Sequence, residues 1–382
     1  MDIKEESLKL HERLKGKLEI KSKIEIKTKQ DLSLAYTPGV AEPCKKIFEN
    51  KENVYKYTAK GNTVAVITNG SAVLGLGNIG AEASIPVMEG KAVLFKEFAD
   101  IDAFPICLDT QDPKEIIEII KKLHSTLGGI NLEDIKAPEC FEIEENLQNL
   151  GIPVMHDDQH GTAVVVLAAL INSLKLTKRK METAKIVING AGAAGIAVAK
   201  IILSYKANPK NLILLDSKGT VNKKRKDLNK YKKELAEKIS TLEGNLETAI
   251  KNTDVFIGLS KPNVLTKEMV KSMNKDSIVF AMSNPDPEIL PNLAKEGGAK
   301  IVATGRSDFP NQVNNILAFP GIFRGALDIR ATKITEKMKI AAAEALANSI
   351  KPSEEAILPY VTDKKIVPKI SEAVKKAWNN KT

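Results

Sequence analysis

Hydrophobic and polar positions follow two periods along the chain, and the alternation of these periods predicts its elements. From residue 54 onward, short β-rich apolar runs alternate with longer stretches that have the apolar spacing of helices. The short runs are typical of buried strands and the longer stretches of amphipathic helices. Their regular alternation predicts parallel sheets flanked by helices, which is an α/β fold.

The predicted elements fall into two groups joined by a long apolar helix at 162–174. The first group consists of a helix at 2–13, an alternating stretch at 18–21, a helix at 41–50, a strand at 63–68, a helix at 88–98, a strand at 102–108, a helix at 113–125, a strand at 129–132, a helix at 138–150 and a strand at 153–156. The second consists of strands at 185–189, 211–216, 254–258, 277–282 and 300–303, with helices between most of them, and C-terminal helices at 333–350 and 365–379.

This order, and a length of 382 residues that exceeds one small core, predict two domains. The βαβ order of the second group is that of a doubly wound sheet. We therefore expect an N-terminal α/β domain at residues 1–160. A Rossmann-type dinucleotide-binding domain with C-terminal helices is expected at residues 161–382.

Composition places the chain among ordinary soluble globular proteins, with 43% hydrophobic and 27% charged residues. No run approaches the roughly 18 apolar residues of a membrane span, and the N-terminus has no apolar segment of the signal-peptide kind. We therefore expect a cytoplasmic protein without a membrane partner. Its three cysteines share no metal-binding spacing and are expected to be reduced and buried.

The net charge of +9 arises largely from basic stretches at 15–29 and 222–233. A nucleic-acid-binding surface would interleave aromatic residues with these cations, and aromatic residues make up only 4% of the chain. A solvated basic face is therefore the favoured interpretation, with no nucleic-acid partner expected. Such a face also attracts small anions.

A glycine-rich loop follows the first strand of the second group and opens a helix of small residues. It consists of Gly190, Ala191, Gly192, Ala193, Ala194 and Gly195. Glycines at this spacing permit a tight turn, close approach to a pyrophosphate and close packing of helix on strand. Asp216 ends the next strand, at about the distance where an acid accepts hydrogen bonds from a ribose. The alternative is a glycine turn without a ligand.

A second run has the same spacing, with Gly75, Gly77 and Gly80. It does not follow its strand directly, and Pro86 is expected to interrupt the helix that it would open. We therefore do not predict a second Rossmann fold. The run is either a loop that faces a ligand across a cleft or a plain structural turn.

Two acid pairs follow neighbouring predicted strands: Glu133 with Asp134, and Asp157 with Asp158. The carboxyl ends of parallel strands are the edge where open α/β sheets bind ligands. Carboxylates brought together there repel one another unless a Mg²⁺ or Mn²⁺ ion binds them. His156 and His160 flank the second pair and would favour a transition metal. Taken singly, such a pair is more often a helix cap.

Two further side chains are candidates for proton transfer. Lys91 begins an apolar stretch, and a buried lysine can have a pKa lowered to about 7–8 and act as a base. Tyr36 lies in a turn ahead of a helix that would orient its phenol. Each also has a structural interpretation without catalysis. Lys91 would be a surface lysine whose ammonium group extends to water, and Tyr36 would be a packed aromatic ring.

Together these stretches resemble malic enzymes, in the same order and over nearly the whole chain. The matching motifs are AYTPGVA at 35–41, TNGSAVLGLG at 68–77, NLEDI at 131–135, DD at 157–158, FAMSNP at 280–285 and ATGRSDFPNQVNN at 303–315. The similarity is greatest to the short, stand-alone bacterial and archaeal form. It implies a homodimer that converts (S)-malate to pyruvate and CO₂ with NAD or NADP and with Mg²⁺ or Mn²⁺.

The resemblance also implies roles for individual residues, with the catalytic and metal residues in the N-terminal domain. Lys91 would be the base and Tyr36 the acid, and Glu133, Asp134 and Asp158 would hold the metal, supported by Asp157. Asn284 and Asn315, together with Asn314, would contact malate or the nicotinamide. The 190–195 loop and Asp216 would hold the cofactor, with Gly75, Gly77 and Gly80 facing it across the cleft.

One position departs from the family pattern. The longer eukaryotic malic enzymes carry an arginine that binds a malate carboxylate, and this chain has Ala72 there.

The choice between NAD and NADP also stays open, because the charge of Asp216 disfavours a 2′-phosphate and the charge of Lys218 offsets this effect. Two other functions remain possible: an NAD-linked dehydrogenase of another acid, such as an amino acid, or a catalytically silent dinucleotide sensor.

Overall fold

Two mainly parallel β-sheets, each flanked by helices, form the framework of the protein. A computed structural model describes residues 3–73 and 75–379. Asp2, where the first predicted helix begins, and Leu74, in the motif at 68–77, lie outside the described residues. The described strands are β1 (Thr63–Thr68), β2 (Asp102–Cys107), β3 (Gly129–Leu132), β4 (Val154–His156), β5 (Ile186–Asn189), β6 (Leu212–Asp216), β7 (Gly219–Thr220), β8 (Val255–Gly258), β9 (Ser277–Ala281) and β10 (Ala299–Thr304).

The α-helices occupy most of the connections between these strands and both ends of the chain. They are α1 (Ile3–Leu14), α2 (Lys29–Ala35), α3 (Ala41–Glu49), α4 (Val54–Tyr57), α5 (Gly80–Ala99), α6 (Pro113–Leu123), α7 (Glu139–Leu147), α8 (Asp157–Leu176), α9 (Ala193–Ser204), α10 (Lys230–Ala236), α11 (Leu246–Ala249), α12 (Lys267–Lys271), α13 (Pro291–Glu296), α14 (Phe319–Asp328), α15 (Glu336–Ala347) and α16 (Ile366–Asn379).

The first sheet has the strand order β2-β1-β3-β4, and all its pairs are parallel. Leu132 at the end of β3 lies opposite Ile67 of β1 and opposite His156 of β4. The three strands therefore end at the same level. The residues that follow β3 and β4 consequently leave the sheet at one edge, where both acid pairs lie.

The second sheet has the order β10-β9-β8-β5-β6-β7, with only β7 antiparallel to its neighbour. The connections from β5 run to β6 on one side and later return to β8 on the other. The point where the strand order reverses is where such sheets bind dinucleotides, and the 190–195 loop leaves β5 there. The predicted α/β class with a Rossmann-type sheet is confirmed.

Helix α8 joins the two halves and is mostly buried in the core. It packs against α9 and α15, and 15 of its 20 residues are buried. It has 20 residues, and the mean hydropathy of its most apolar window is 1.2, so it is long and apolar enough to cross a membrane. The expectation that no run approaches a membrane span was therefore wrong. Burial of 72% of the most apolar window identifies a core helix instead. The domain boundary predicted after residue 160 falls inside α8.

Several predicted elements differ from the structure. Helix α5 begins at Gly80 and contains Pro86, so the second glycine run does open a helix, contrary to prediction. Pro86 lies in the second turn, where only one backbone hydrogen bond is lost. Helix α14 and the short β7 were not predicted, and the alternating stretch at 18–21 forms no strand. The three cysteines carry no disulfide, and Cys44 is exposed rather than buried.

The N-terminal surface, which we define as residues 3–57, is unlike the rest of the molecule. None of its residues is buried, although it contains helices α1 to α4. Large apolar side chains are open to solvent, among them Ile20 and Phe48, each 93% exposed. Exposed apolar side chains that gather on one part of a soluble protein are typical of an interaction surface.

Candidate functional site

Three carboxylates converge at the common edge of β3 and β4. One oxygen each of Glu133, Asp134 and Asp158 lies within 4.8 Å of the others. Glu133 and Asp134 follow β3 directly, while Asp158 lies in the first turn of α8, whose backbone N–H groups favour negative charge. The sequence-based expectation that the two acid pairs converge is therefore confirmed.

Backbone contacts fix the cluster. Asp134 adopts a left-handed conformation with φ of 51°, and its N–H donates to Asp158 Oδ2 at 2.8 Å. Its carbonyl oxygen accepts the N–H of Ala72 at 2.9 Å, which joins the acids to the loop after β1. Asn131, two residues before Glu133 and hence on the same face of the strand, donates to Glu133 Oε2 at 2.7 Å.

The charges of the cluster are not balanced by protein groups alone. Burial, above all, and the neighbouring acids raise the pKa of Glu133, Asp134 and Asp158. A bound divalent cation would remove this repulsion, and carboxylate oxygens are the ligands that Mg²⁺ and Mn²⁺ prefer. The residues present therefore fit the predicted metal.

Lys91 supplies the cation of the cluster. Its ammonium group lies 2.7 Å from Asp157 Oδ2 and 2.9 Å from Glu133 Oε1, with the side chain 9% exposed. Its Nζ also lies 4.3 Å from the centre of the Phe319 ring. Burial lowers the pKa of Lys91, but Asp157 and Glu133 outweigh burial and raise it above its usual value. The expectation of a lowered pKa considered burial alone, and the two carboxylates act in the opposite direction.

Asp157 links Lys91 to the second half of the chain. Its Oδ2 accepts a hydrogen bond of 2.6 Å from the Asn315 side chain, and the carboxylate is fully buried. A Cβ atom at Gly161 would lie 1.7 Å from Asp157 Oδ1, so only glycine leaves room for this carboxylate one turn later. Asp157 is therefore a positioning residue that touches both Lys91 and Asn315.

The two histidines beside the acid pair do not join the metal cluster. His156 is fully buried, burial lowers its pKa to about 4, and its ring nitrogens make no hydrogen bond in the described part of the chain. His160 Nε2 instead bonds Glu144 Oε2 at 2.9 Å. The described three-acid cluster is made of oxygen ligands alone, so the histidines give no argument for a transition metal.

A cleft of about 720 Å³ lies between the two sheets and contains both the acids and the dinucleotide loop. Of the predicted site residues it is lined by Gly75, Gly77, Asp134, Asp158, Gly192, Ala193, Ala194, Gly195, Asn284, Asn314 and Asn315. Ala72 and Lys136 also line it. The second glycine run thus faces the first across the cleft, as expected.

The 190–195 loop has the shape that a pyrophosphate requires. A Cβ atom at Gly195 would lie 1.7 Å from the Gly190 carbonyl oxygen, and one at Gly190 would lie 2.2 Å from the Leu259 carbonyl oxygen. A Cβ at Gly192 would meet nothing within 4 Å, so the backbone there is open to the cleft. The loop ends at the N-terminus of α9, whose N–H groups point at the cleft.

Eight predicted residues lie outside the lining of this cleft, and three of them, Lys91, Glu133 and Asp157, form the buried network behind Asp134 and Asp158. Gly190 and Ala191 form the base of the loop, Gly80 begins α5, and Asp216 ends β6 beside the loop, where Gly190 N–H donates to Leu215 O at 2.9 Å. Tyr36 belongs to the N-terminal surface and is 67% exposed. Its side chain makes no hydrogen bond with Lys91 or the acids among the described residues.

Comparison with known proteins agrees with this architecture. The family model for the malic enzyme N-terminal domain matches residues 15–148, and the model for the malic enzyme NAD-binding domain matches residues 159–378. The chain belongs to the malic enzyme family. In this malic enzyme Lys91, Glu133 and Asp134 lie in the first matched range, and the 190–195 loop and the asparagines lie in the second. Asp157 and Asp158 lie in the short segment between the two ranges.

The relatives of this malic enzyme are named for different cofactors. The chain is 56% identical to the bifunctional malic/malolactic enzyme of Bacillus subtilis, covering 99% of this chain and 93% of that one. It is 50% identical to the NADP-dependent malic enzyme of Rhizobium meliloti over 98% of this chain but only 52% of the longer relative. The crystal structure of the NAD-dependent malic enzyme from Thermotoga maritima matches with a TM-score of 0.93 and 50% identity, covering 97% and 98% of the chains.

Sequence reasoning missed some residues of the site in this malic enzyme. Glu144 and Lys339 have no local motif, and contact the first turn of α8 only through the tertiary fold. Asn131 could have been found, because its spacing of two from Glu133 places both on one face of β3. Lys136, in the segment after Asp134, is the one lysine or arginine that lines the cleft among the described residues.

Proposed function

We propose that this chain catalyses oxidative decarboxylation of (S)-malate to pyruvate and CO₂, with reduction of NAD or NADP. The observation that carries the proposal is the convergence of Lys91, the acid cluster and the dinucleotide loop on one interdomain region. A dinucleotide there accepts the hydride from C2 of malate. The acids then serve the second half of the reaction, the loss of CO₂.

Glu133, Asp134 and Asp158 would hold the divalent cation. When bound, such a cation polarises the C2 oxygen and stabilises the charge left by CO₂, a contribution of several kcal/mol. The positive charge also acts against the carboxylates that raise the pKa of Lys91, since a nearby cation favours the neutral amine.

Lys91 is the proposed base that removes the proton of the malate C2 hydroxyl as hydride leaves C2. Tyr36 is the proposed acid that protonates C3 of the product enolate. Asp157 holds Lys91 through the 2.7 Å contact and receives Asn315 on the same oxygen. This shared contact ties the position of the base to the side of the cleft that binds substrate.

Malate itself is proposed to contact Asn284 and Asn315, supported by Asn314. The family arginine is absent at Ala72, whose N–H is already used by Asp134. Lys136 is the candidate for its replacement, because it lines the same cleft and its only described ion pair, to Glu139, is long at 3.6 Å.

A homodimer is the proposed assembly, formed through the N-terminal surface. That surface exposes Phe48, Ile20 and Leu34 by 70% or more, and none of its residues reaches the core of its own chain. Tyr36 is part of it, and its hydroxyl makes no hydrogen bond with the acids in the described part of the chain. We therefore propose that the second copy covers this surface and brings Tyr36 to an active site.

Two alternatives are distinguished by one assay. An NAD-linked amino-acid dehydrogenase would not need the acid cluster, and a silent dinucleotide sensor would not need Lys91. The assay measures reduced cofactor and pyruvate formed from (S)-malate in equal amounts. Reduced cofactor with oxaloacetate and no pyruvate would contradict decarboxylation. No reduction with malate would favour the two alternatives, and reduction with an amino acid in place of malate would then separate the dehydrogenase from the sensor. The cytoplasmic location and the domain boundary at residue 160 stay predictions.

A further inference from the structure

The acid at the end of β6 is already fully bonded by protein groups. Asp216 Oδ1 accepts the Lys218 N–H at 3.0 Å and Arg225 Nη1 at 2.7 Å. Its Oδ2 accepts Arg225 Nη2 at 3.2 Å and Lys232 Nζ at 2.7 Å. An ionised carboxylate has about four acceptor positions, so these four donors fill it.

Asp216 also stays ionised, which keeps it an acceptor that has no position left. Burial raises its pKa, but the hydrogen bonds from Arg225 and Lys232 outweigh burial and lower it. An acid that recognises NAD accepts hydrogen bonds from the ribose hydroxyls. Asp216 in this arrangement does not have that capacity.

The surroundings of Asp216 carry an excess of positive charge. Arg225 lies between Asp216 and Asp227, with Nε at 2.9 Å and Nη2 at 2.8 Å from the Asp227 oxygens. Lys218 Nζ lies 2.9 Å from Asp227 and is 69% exposed. Three cations therefore face two carboxylates, and the Lys232 ammonium donates only to Asp216 within the described residues.

We propose that the cofactor of this chain is NADP, and that Lys232 and Lys218 bind its 2′-phosphate while Arg225 neutralises Asp216. The inference rests on the proposed function only in so far as a dinucleotide occupies the 190–195 loop. That loop leaves β5, next to β6, so the adenosine ribose of a cofactor bound there lies beside Asp216. Lys232 retains two N–H donors for phosphate oxygens, which ammonium groups bind well.

The first test uses calorimetric binding of two small probes to the full chain. Adenosine 2′,5′-bisphosphate and adenosine 5′-monophosphate differ only in the 2′-phosphate, and neither needs malate or nicotinamide. We expect the bisphosphate to bind about ten- to hundredfold more tightly, as expected for one or two charge-assisted hydrogen bonds. Equal binding of both probes, or binding of neither, would overturn the proposal.

Variants test which residue causes the preference for the bisphosphate. Lys232→Gln is expected to remove most of the preference for the bisphosphate while 5′-monophosphate binding stays within about twofold. Lys233→Gln, the next residue on α10 and exposed, is the matched control and should leave both affinities unchanged. An equal loss for both probes in Lys232→Gln would show a general charge effect and contradict a 2′-phosphate site.

Arg225→Gln tests the role of Asp216 separately. The substitution removes two of the four donors, so Asp216 regains acceptor positions for ribose hydroxyls. We expect weaker bisphosphate binding and stronger 5′-monophosphate binding, with the ratio of kcat/KM for NADP over NAD reduced at least tenfold. An unchanged ratio would overturn this assignment. Absence of malate turnover with both cofactors, with probe preference intact, would contradict the proposed function and leave the cofactor site standing.

Discussion

Lys91 is the residue on which the proposed chemistry most depends. Its ammonium group lies between Asp157 and Glu133 and is almost completely buried. Lys91 thus contacts both a member of the metal cluster, Glu133, and the residue that binds Asn315, Asp157. This position joins the base, the metal and the substrate side of the cleft in one contact network.

Replacement of Lys91 tests this role. We expect Lys91→Ala to lower kcat for malate by about 10²- to 10⁴-fold, the range for loss of a proton-transfer group. Binding of the dinucleotide should stay nearly unchanged, because Lys91 has no contact with the 190–195 loop. Steady-state kinetics and calorimetry measure the two quantities.

The control for Lys91→Ala is another buried lysine. Lys60 is 9% exposed and donates to the carbonyl oxygens of His124 and Ser125. Lys60→Ala should lower the free energy of unfolding without a comparable effect on kcat of the folded enzyme. Near-wild-type malate oxidation by Lys91→Ala would exclude the proposed base.

At the scale of elements, the first turn of α8 is held by a group from α7. Glu144 is buried, and both of its carboxylate oxygens are hydrogen-bonded. Oε1 accepts the His156 N–H at 2.9 Å, and Oε2 bonds His160 Nε2 at 2.9 Å and Gln159 Nε2 at 3.3 Å. His160 Nδ1 in turn lies 3.1 Å from Lys339 Nζ on α15. This network fixes the turn that carries Asp157 and Asp158.

Glu144 is therefore expected to be a positioning residue for the metal. Glu144→Ala leaves the buried His156 N–H without a partner, at a cost of about 1–3 kcal/mol in stability. It should also weaken binding of Mn²⁺ by about 10- to 100-fold, as loss of groups behind metal ligands does. Calorimetric Mn²⁺ titration measures this, together with thermal unfolding.

The residue next to Glu144 provides the control for the Mn²⁺ affinity. Glu145 lies on the same helix but bonds Lys230 and Tyr231 rather than α8. Glu145→Ala should leave Mn²⁺ affinity unchanged. Equal Mn²⁺ affinity in Glu144→Ala and the wild type would show that α8 holds its acids without help from α7.

Sequence alone predicted the strands of both sheets closely, because buried parallel strands are short apolar runs that glycines and acids interrupt. It placed both acid pairs at one edge, since chain order and strand ends determine that edge. It could not predict that the pKa of Lys91 is raised, because Asp157 lies 66 residues away along the chain. Nor could it predict that the acceptor positions of Asp216 are all used, because Lys232 lies 16 residues away. It misplaced the start of α5 because Pro86 is tolerated within an early turn.

At the scale of the whole molecule, the N-terminal surface is the feature that a single chain leaves unexplained. We expect the wild type to sediment as a dimer in analytical ultracentrifugation. Phe48→Asp places a charge at a 93% exposed apolar position and should shift the protein towards monomer, with parallel loss of malate turnover.

An exposed aromatic residue elsewhere controls for the charge. Tyr360 is 86% exposed and lies outside the N-terminal surface. Tyr360→Asp should leave both the sedimentation coefficient and kcat unchanged. A wild type that is fully active as a monomer would contradict the proposed role of the second copy.

The central claim is that the three acids hold a divalent cation that malate decarboxylation requires. The direct measurement is pyruvate formation from (S)-malate by EDTA-treated enzyme titrated with Mn²⁺, for the wild type, for Asp158→Asn and for the exposed-acid control Glu142→Gln. The account predicts no pyruvate in EDTA, full recovery in the wild type and Glu142→Gln, and at least a tenfold higher half-activating Mn²⁺ concentration in Asp158→Asn. Undiminished pyruvate formation in EDTA, or identical Mn²⁺ curves for the wild type and Asp158→Asn, would contradict it.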